Sequence, residues 1–328
     1  MQNNTKHDWN ALKTFYALKF ADPAVGVPRQ ILNVWRAFKG APNRGCTDSA
    51  DLDAAGFWQT DNFPYETRNP ICNLSGFGFG FEIECERRGG DIPTAVKAIS
   101  ERFSKLFICK RDGSLNCGTE IVTPVFSRDI LSGNSLEMCA MADLFEFLAE
   151  QKFKVPSTTG GHVHFSDPRL VGETHDFCLF IESILQDAPP YAVKTLFGRA
   201  IGASGYATPI ASTLKNQRDT IFARLKKVRD TFGKDESLSD RYMFIHTVKD
   251  SDGHVEFRLP AGTLNLLKLS ARVHFLDACV GEFVRFKNRD WLNMGGAFDR
   301  ILRKIFKNVK GFKKYYEIRI NELKGDEQ

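Results

Sequence analysis

Hydrophobic and polar positions alternate most cleanly in the run Gly80-Phe81-Glu82-Ile83-Glu84-Cys85-Glu86. Successive side chains of a strand point to opposite faces. On a strand, Glu82, Glu84 and Glu86 would share one face and Phe81, Ile83 and Cys85 the other. The same two-residue period recurs at Gly161-His162-Val163-His164 and at His254-Val255-Glu256-Phe257-Arg258. Strand signals fall near 76–87, 104–110, 116–124, 160–166, 241–248 and 253–259. Asp112-Gly113-Ser114 is a hairpin turn signal between the second and third of them. Apolar positions follow the helical period near 91–103, 129–151, 170–187, 190–199, 214–231, 267–288 and 296–323. Two shorter helices are expected at 8–20 and 28–38, with Pro28 opening the second. Residues 41–75 are rich in Gly, Pro, Asn and Asp and read as irregular. Helices and strands do not alternate strictly. The pattern predicts an α+β fold with a mostly antiparallel sheet of about six strands, not a doubly wound parallel sheet.

Composition adds that 328 residues, 42% of them hydrophobic and 28 of them Phe, can bury a sizeable core. The formal charge of +5 is too small to demand a nucleic-acid partner. It is unevenly spread, with nine Lys/Arg against four Asp/Glu from Arg300 to Gln328, and seven against two from Lys215 to Lys234. Such stretches are most often solvated helix faces, and the alternative is a polyanion partner. Ile301, Leu302, Ile305, Phe306 and Val309 follow helical spacing and read as a packing stripe. The eight Cys contain no CxxC pair. Cys85, Cys109, Cys139 and Cys178 sit in apolar runs, as buried free thiols do, which suits a reducing cytosol. No apolar run is long enough to span a bilayer, and the first residues contain no apolar signal core. A cytoplasmic protein with no membrane association is expected.

The chemistry lies in four groupings: Glu82/Glu84/Glu86, Asp112 through Pro124, Gly160 through His164, and His254 through Arg258. Taken singly, a Glu-x-Glu on a strand is usually a solvent face. His-x-His is often a surface pair, and Glu-x-Arg is often a weak cross-strand ion pair. Taken together, Glu82, Glu84, Glu120, His162 and Glu256 form an oxygen-rich set with one imidazole. Arg258 adds a permanent cation with phosphate-matching geometry. Carboxylates with an arginine point to Mg²⁺ or Mn²⁺ with a phosphate between them. No HExxH motif and no Walker-type phosphate loop are present.

The order of these motifs resembles the amidoligase family, carboxylate–amine ligases with the glutamine synthetase/glutamate–cysteine ligase fold. The residues that carry the resemblance begin with Gly80-x-Glu82-x-Glu84, followed by Asp112-Gly113-Ser114-Leu115 leading to Gly118-x-Glu120-Ile121-Val122-Thr123-Pro124. Gly161-His162-Val163-His164, Arg241-Tyr242, and Glu256-Phe257-Arg258 with Gly262-Thr263-Leu264-Asn265 complete the series. The resemblance implies a catalytic domain over 75–290, an N-terminal extension over 1–74 and a basic helical extension over 291–328. It implies a curved sheet whose concave face is the active site and whose convex side carries the helices. It also implies joining of a carboxylate to an amine with ATP and Mg²⁺ (or Mn²⁺).

By that similarity Glu82, Glu84, Glu120, His162 and Glu256 would hold metal. His164, Arg258 and Ser114 would meet the nucleotide, and Arg258, Arg241 and Asp112 would act in catalysis. Asp112 and Ser114 would lie near the acceptor, and Glu86 falls outside the ligand set. The acid could be an amino acid, a peptide or a protein side chain, joined through an acyl phosphate to an unidentified amine. Two other functions stay open at this point: a guanidino kinase-like phosphotransferase on the same fold, and a nucleic-acid-binding protein that uses the basic helices.

Overall fold

The computed structural model describes residues 77–325 apart from 88–91, 104–106, 203–206, 211–242, 248–252 and 287–294 and the positions 111, 113–114, 116–117, 124, 127, 134 and 157. The helices expected at 8–20, 28–38 and 214–231, together with Ser114 and Arg241, lie outside the described residues.

Six strands form one open sheet: β1 (Gly78–Glu86), β2 (Ile108–Lys110), β3 (Gly118–Val122), β4 (Gly161–Ser166), β5 (Ile245–Thr247) and β6 (His254–Phe257). Their order is β2-β3-β1-β4-β6-β5 and every pairing is antiparallel. Each strand falls inside a segment expected to hold one. The helices are α1 (Ile92–Arg102), α2 (Leu136–Glu150), α3 (Thr174–Asp187), α4 (Pro190–Phe197), α5 (Leu266–Phe286), α6 (Ala297–Asn308) and α7 (Phe312–Gly325).

Two expected helices are interrupted. The segment expected at 129–151 begins as a 3₁₀ turn at Arg128–Leu131. It restarts as α2 at Ser135, whose side chain accepts the Met138 N–H at 3.1 Å. The segment expected at 296–323 breaks into α6 and α7, where Gly311 takes a φ of 86° that few other residues adopt readily.

The apolar face of the sheet is sealed. Phe79, Phe81, Ile83, Cys85, Ile121, Val163, Phe165, Val255 and Phe257 are all buried. Phe165 packs on Phe79 at 4.8 Å between ring centroids and on Phe177 of α3 at 6.5 Å. Phe257 meets Phe197 of α4 at 5.1 Å and Phe275 of α5 at 6.1 Å. These rings lock the register of the central strands, because a one-residue slip would carry phenylalanines to the polar face. On α6 the predicted stripe packs inward: Ile301, Leu302 and Ile305 are buried while Arg303 and Lys307 are exposed. Glu282 of α5 accepts from Arg300 at 3.0 Å and from Lys304 at 2.9 Å, which ties α6 to the body. Among the described residues no helix is long and apolar enough to cross a membrane.

One buried cation braces the loops below the sheet's polar face. Arg272 of α5 is 1% exposed and donates to three carbonyls, Leu196 at 3.3 Å, Ala261 at 2.8 Å and Phe197 at 3.0 Å. It joins the end of α4 to the segment after β6. That segment also accepts the Gly161 N–H on Pro260 at 3.0 Å, beside the entry to β4. Replacing Arg272 with Met would remove three buried hydrogen bonds at about 1 kcal/mol or more each, although the Phe197 carbonyl keeps the Ala261 N–H. We expect Arg272→Met to lose roughly 3 kcal/mol or more in urea unfolding. A loss indistinguishable from that of an exposed arginine such as Arg303 would contradict the bracing role.

Candidate active site

The strand register places the polar residues on one face in rows. Lys110 lies opposite Glu120, and Glu120 opposite Glu84. In the next row Glu82 faces His162. Gly80 faces His164, which faces Glu256, which faces His246. Four carboxylates, Glu82, Glu84, Glu120 and Glu256, are thereby buried side by side. Buried anions persist only with compensating cations and hydrogen bonds, and each has a partner here.

Glu82 sits at the centre. His162 Nδ1 is 3.2 Å from its Oε2, His164 Nε2 is 3.3 Å from its Oε1, and Lys110 Nζ is 3.9 Å from Oε1. Burial pushes the Glu82 carboxyl up, but the charge on His164, hydrogen bonds from His162 and His164 and the charge on Lys110 outweigh it. The carboxyl is held well below its usual range. Glu256 behaves alike. Burial opposes its ionisation, while a 3.0 Å contact from His246 Nε2 and the charges on His164 and His162 hold its carboxyl down. Arg258 Nη1 adds a bond at 2.5 Å to Glu256 Oε1. His246 turns Nδ1 to the Thr247 carbonyl at 2.9 Å, which leaves Nε2 for Glu256.

Glu120 has the opposite bias. Burial comes first, the charge on Glu82 adds to it, and Lys110 and His162 only partly offset both, so the carboxyl is pushed up to about 7. Lys110 Nζ lies 3.2 Å from its Oε1. Asp112 also faces this end of the cluster, and its negative charge raises Glu120 further. His162 is raised too. Burial works against its charge, but the hydrogen bond to Glu82 and the Glu256 carboxylate favour the imidazolium, against Arg258.

Glu84 accepts the backbone N–H of Gly160 at 2.5 Å. Gly160 has to be glycine because of what surrounds it. A Cβ there would lie 2.5 Å from His162 Nε2 and 2.7 Å from Glu84 Oε1. Glu86, at the strand end, is only half-buried.

The chemistry of the donors fits a hard divalent cation. Glu82, His162 and Glu256 each offer one ligand atom, and these lie within 4.8 Å of one another. Of the five residues expected to hold metal, these three converge. Glu84 and Glu120 stand beside the trio, held by Gly160 and Lys110 respectively. His164 and Arg258 border the trio.

Three residues beside the site, Lys110, His246 and Arg199, escaped sequence reasoning, and His254 was read as part of the fourth polar grouping without a role. Lys110 ends a three-residue strand and looks like a hairpin lysine. His246 stands in the equally short β5. His254 contacts His164, Nε2 to Nδ1 at 3.2 Å. Arg199 donates to the Thr159 and Pro260 carbonyls at 2.6 and 3.2 Å, and no local pattern marks it.

No family model matches the chain, and no curated protein sequence matches it. Among solved structures, the complex between the prokaryotic ubiquitin-like protein Pup and its ligase PafA is similar to it at 9% identity and a TM-score of 0.31. The overlay covers 76% of this chain and 63% of that one, so the chain spans less than two thirds of its neighbour's length. At that identity and overlap the match assigns neither an activity nor a residue.

The raised carboxyl of Glu120 has a measurable consequence for the metal-free protein. Glu120 keeps its proton to about pH 7 in the fold, against an ordinary value of 4.5 outside it. Stability from this group is therefore present below pH 4.5 and lost as pH rises to 7, by roughly 3 kcal/mol. In chelator, Glu120→Gln should match wild type in thermal unfolding near pH 5 and exceed it near pH 8. Equal midpoints at both pH values would show that Glu120 titrates normally.

Proposed function

We propose that the chain is an ATP-dependent carboxylate–amine ligase of the glutamine synthetase-like kind, with the polar face of its sheet as the active site. The observation that carries this reading is the convergence of Glu82, His162 and Glu256 beside His164 and Arg258 on one buried face. Oxygen donors with a single imidazole select Mg²⁺ or Mn²⁺ over softer ions. When bound, the ion supplies positive charge against the ATP phosphates.

The chain's own groups then have separate tasks. Arg258, anchored on Glu256, turns its remaining guanidinium donors to the phosphoryl group in transfer. His164 contacts the nucleotide phosphates. In the first step a substrate carboxylate oxygen attacks the γ-phosphorus, giving an acyl phosphate and ADP. In the second an amine attacks the acyl carbon, phosphate leaves, and the amine's proton passes to a base. Asp112 and Glu120 are the candidate bases, and a Glu120 carboxyl near 7 suits that exchange. Arg241 and Ser114 keep the roles the resemblance gives them, facing the phosphate or substrate carboxylate and the acceptor. The acid is an amino acid, a peptide or a protein side chain. The free, buried thiols of Cys85, Cys109, Cys178 and Cys279 fit a cytoplasmic setting.

Hydroxylamine can replace the unidentified amine. With MgATP and a panel of amino acids and peptides, the protein should form a hydroxamate and ADP in equal amounts. Arg258→Ala should lower that turnover by about 100-fold or more. A stable phosphorylated product without hydroxamate would establish a phosphotransferase instead. Full ATP turnover in Arg258→Ala would remove Arg258 from the mechanism.

A further inference from the structure

Lys110 is a cation of the site that no motif announced, and its position is informative. It ends β2 opposite Glu120, is 4% exposed, and points its ammonium into the carboxylate cluster. Its Nζ lies 3.2 Å from Glu120 Oε1 and 3.9 Å from Glu82 Oε1. A lysine is almost never this buried unless an anion holds it. The space between Glu120 and Glu82 is therefore already filled by a positive charge that belongs to the chain.

The donor atoms divide in keeping with this. Glu82, His162 and Glu256 converge within 4.8 Å, and Glu120 is not among them. A divalent ion shared by Glu82 and Glu120 would need carboxylate oxygens at about 2.0–2.6 Å. It would have to sit where the Lys110 ammonium now lies, against its charge. Glu82 is the one residue that serves both sides, with Oε2 toward His162 and Oε1 toward Lys110.

We propose that Lys110 is a resident cation that takes the place of a second divalent ion, so that the chain loads one ion, at Glu82, His162 and Glu256. Glu120 is then a lysine-held carboxylate and not a ligand of that ion. This rests on the metal-dependent reading given above. It goes beyond that reading by fixing the number of ions and by assigning Lys110, a residue that reading leaves without a role.

The test is direct binding to the full chain. Mn²⁺ is titrated into wild type and Lys110→Met, and free Mn²⁺ is counted by electron paramagnetic resonance, with circular dichroism as the check of folding. Met keeps the aliphatic stem and removes the charge. One ion per chain in wild type and two in Lys110→Met support the proposal. The added ion should vanish again in the Lys110→Met/Glu120→Gln double variant. Two ions in wild type, or one ion in a folded Lys110→Met, overturn it while leaving the metal-dependent ligase reading intact.

Should Lys110→Met not fold, Glu120→Gln in the wild-type background decides. Retention of one ion with less than about tenfold loss of affinity supports the proposal, and a loss of about 100-fold or more makes Glu120 a ligand and overturns it. No bound Mn²⁺ in wild type, with or without ATP, removes the metal reading together with this one.

Discussion

Four carboxylates buried on one face of one sheet set the terms for everything around them. Glu82, Glu84, Glu120 and Glu256 cannot stay ionised together out of water without positive charge and hydrogen bonds close by. The sheet supplies both through register. His162 stands opposite Glu82, Lys110 opposite Glu120, and His246 opposite Glu256. Register is in turn imposed from the other face, where phenylalanines of β1, β4 and β6 interlock with those of α3, α4 and α5. The apolar face has no site residue on it, yet it decides which charges meet.

The braces are arranged to suit. The Gly160 peptide reaches Glu84 because Gly160 has no Cβ and because the segment after β6 holds the entry to β4 in place. Arg272 and Arg199 fix that segment through backbone carbonyls. Burial lowers both guanidinium groups from their ordinary value, while the Glu84 carboxylate partly offsets this at Arg199. These are positioning groups, which act on the site by fixing where one peptide N–H lies.

Much of this was legible in the chain because strands announce themselves by period. Glu82/Glu84, His162/His164 and Glu256/Arg258 each bracket a buried hydrophobe, so face and partner type could be read before any pairing was known. Pairing could not. Which strand lies beside which is settled by packing between residues far apart in sequence, and so Lys110 and His246 stayed invisible as members of the site. Each occupies a three-residue strand, too short for alternation to stand out. The separation of α6 from α7 was hidden for another reason. Lysines and apolar residues continue at helical spacing through Val309-Lys310-Gly311, but Val309 takes extended backbone and Gly311 a left-handed one, and together they end the run.

The two ends of the carboxylate cluster are not electrostatically equivalent, and that asymmetry bears on how the fold survives without a bound ion. At one end Glu82 and Glu256 are strongly biased toward ionisation by imidazoles and, at Glu256, by Arg258. At the other, Glu120 is biased toward its neutral form even with Lys110 at 3.2 Å. A cluster that relied on an external cation for all its compensation would repel itself apart whenever that cation left. Here Lys110 and Arg258 cover part of the charge, and the bias of Glu120 toward its neutral form covers more. The carboxylates of Glu82 and Glu256 can therefore remain ionised without the rest of the sheet depending on a bound ion, and His162 would give up its proton to join them as a ligand.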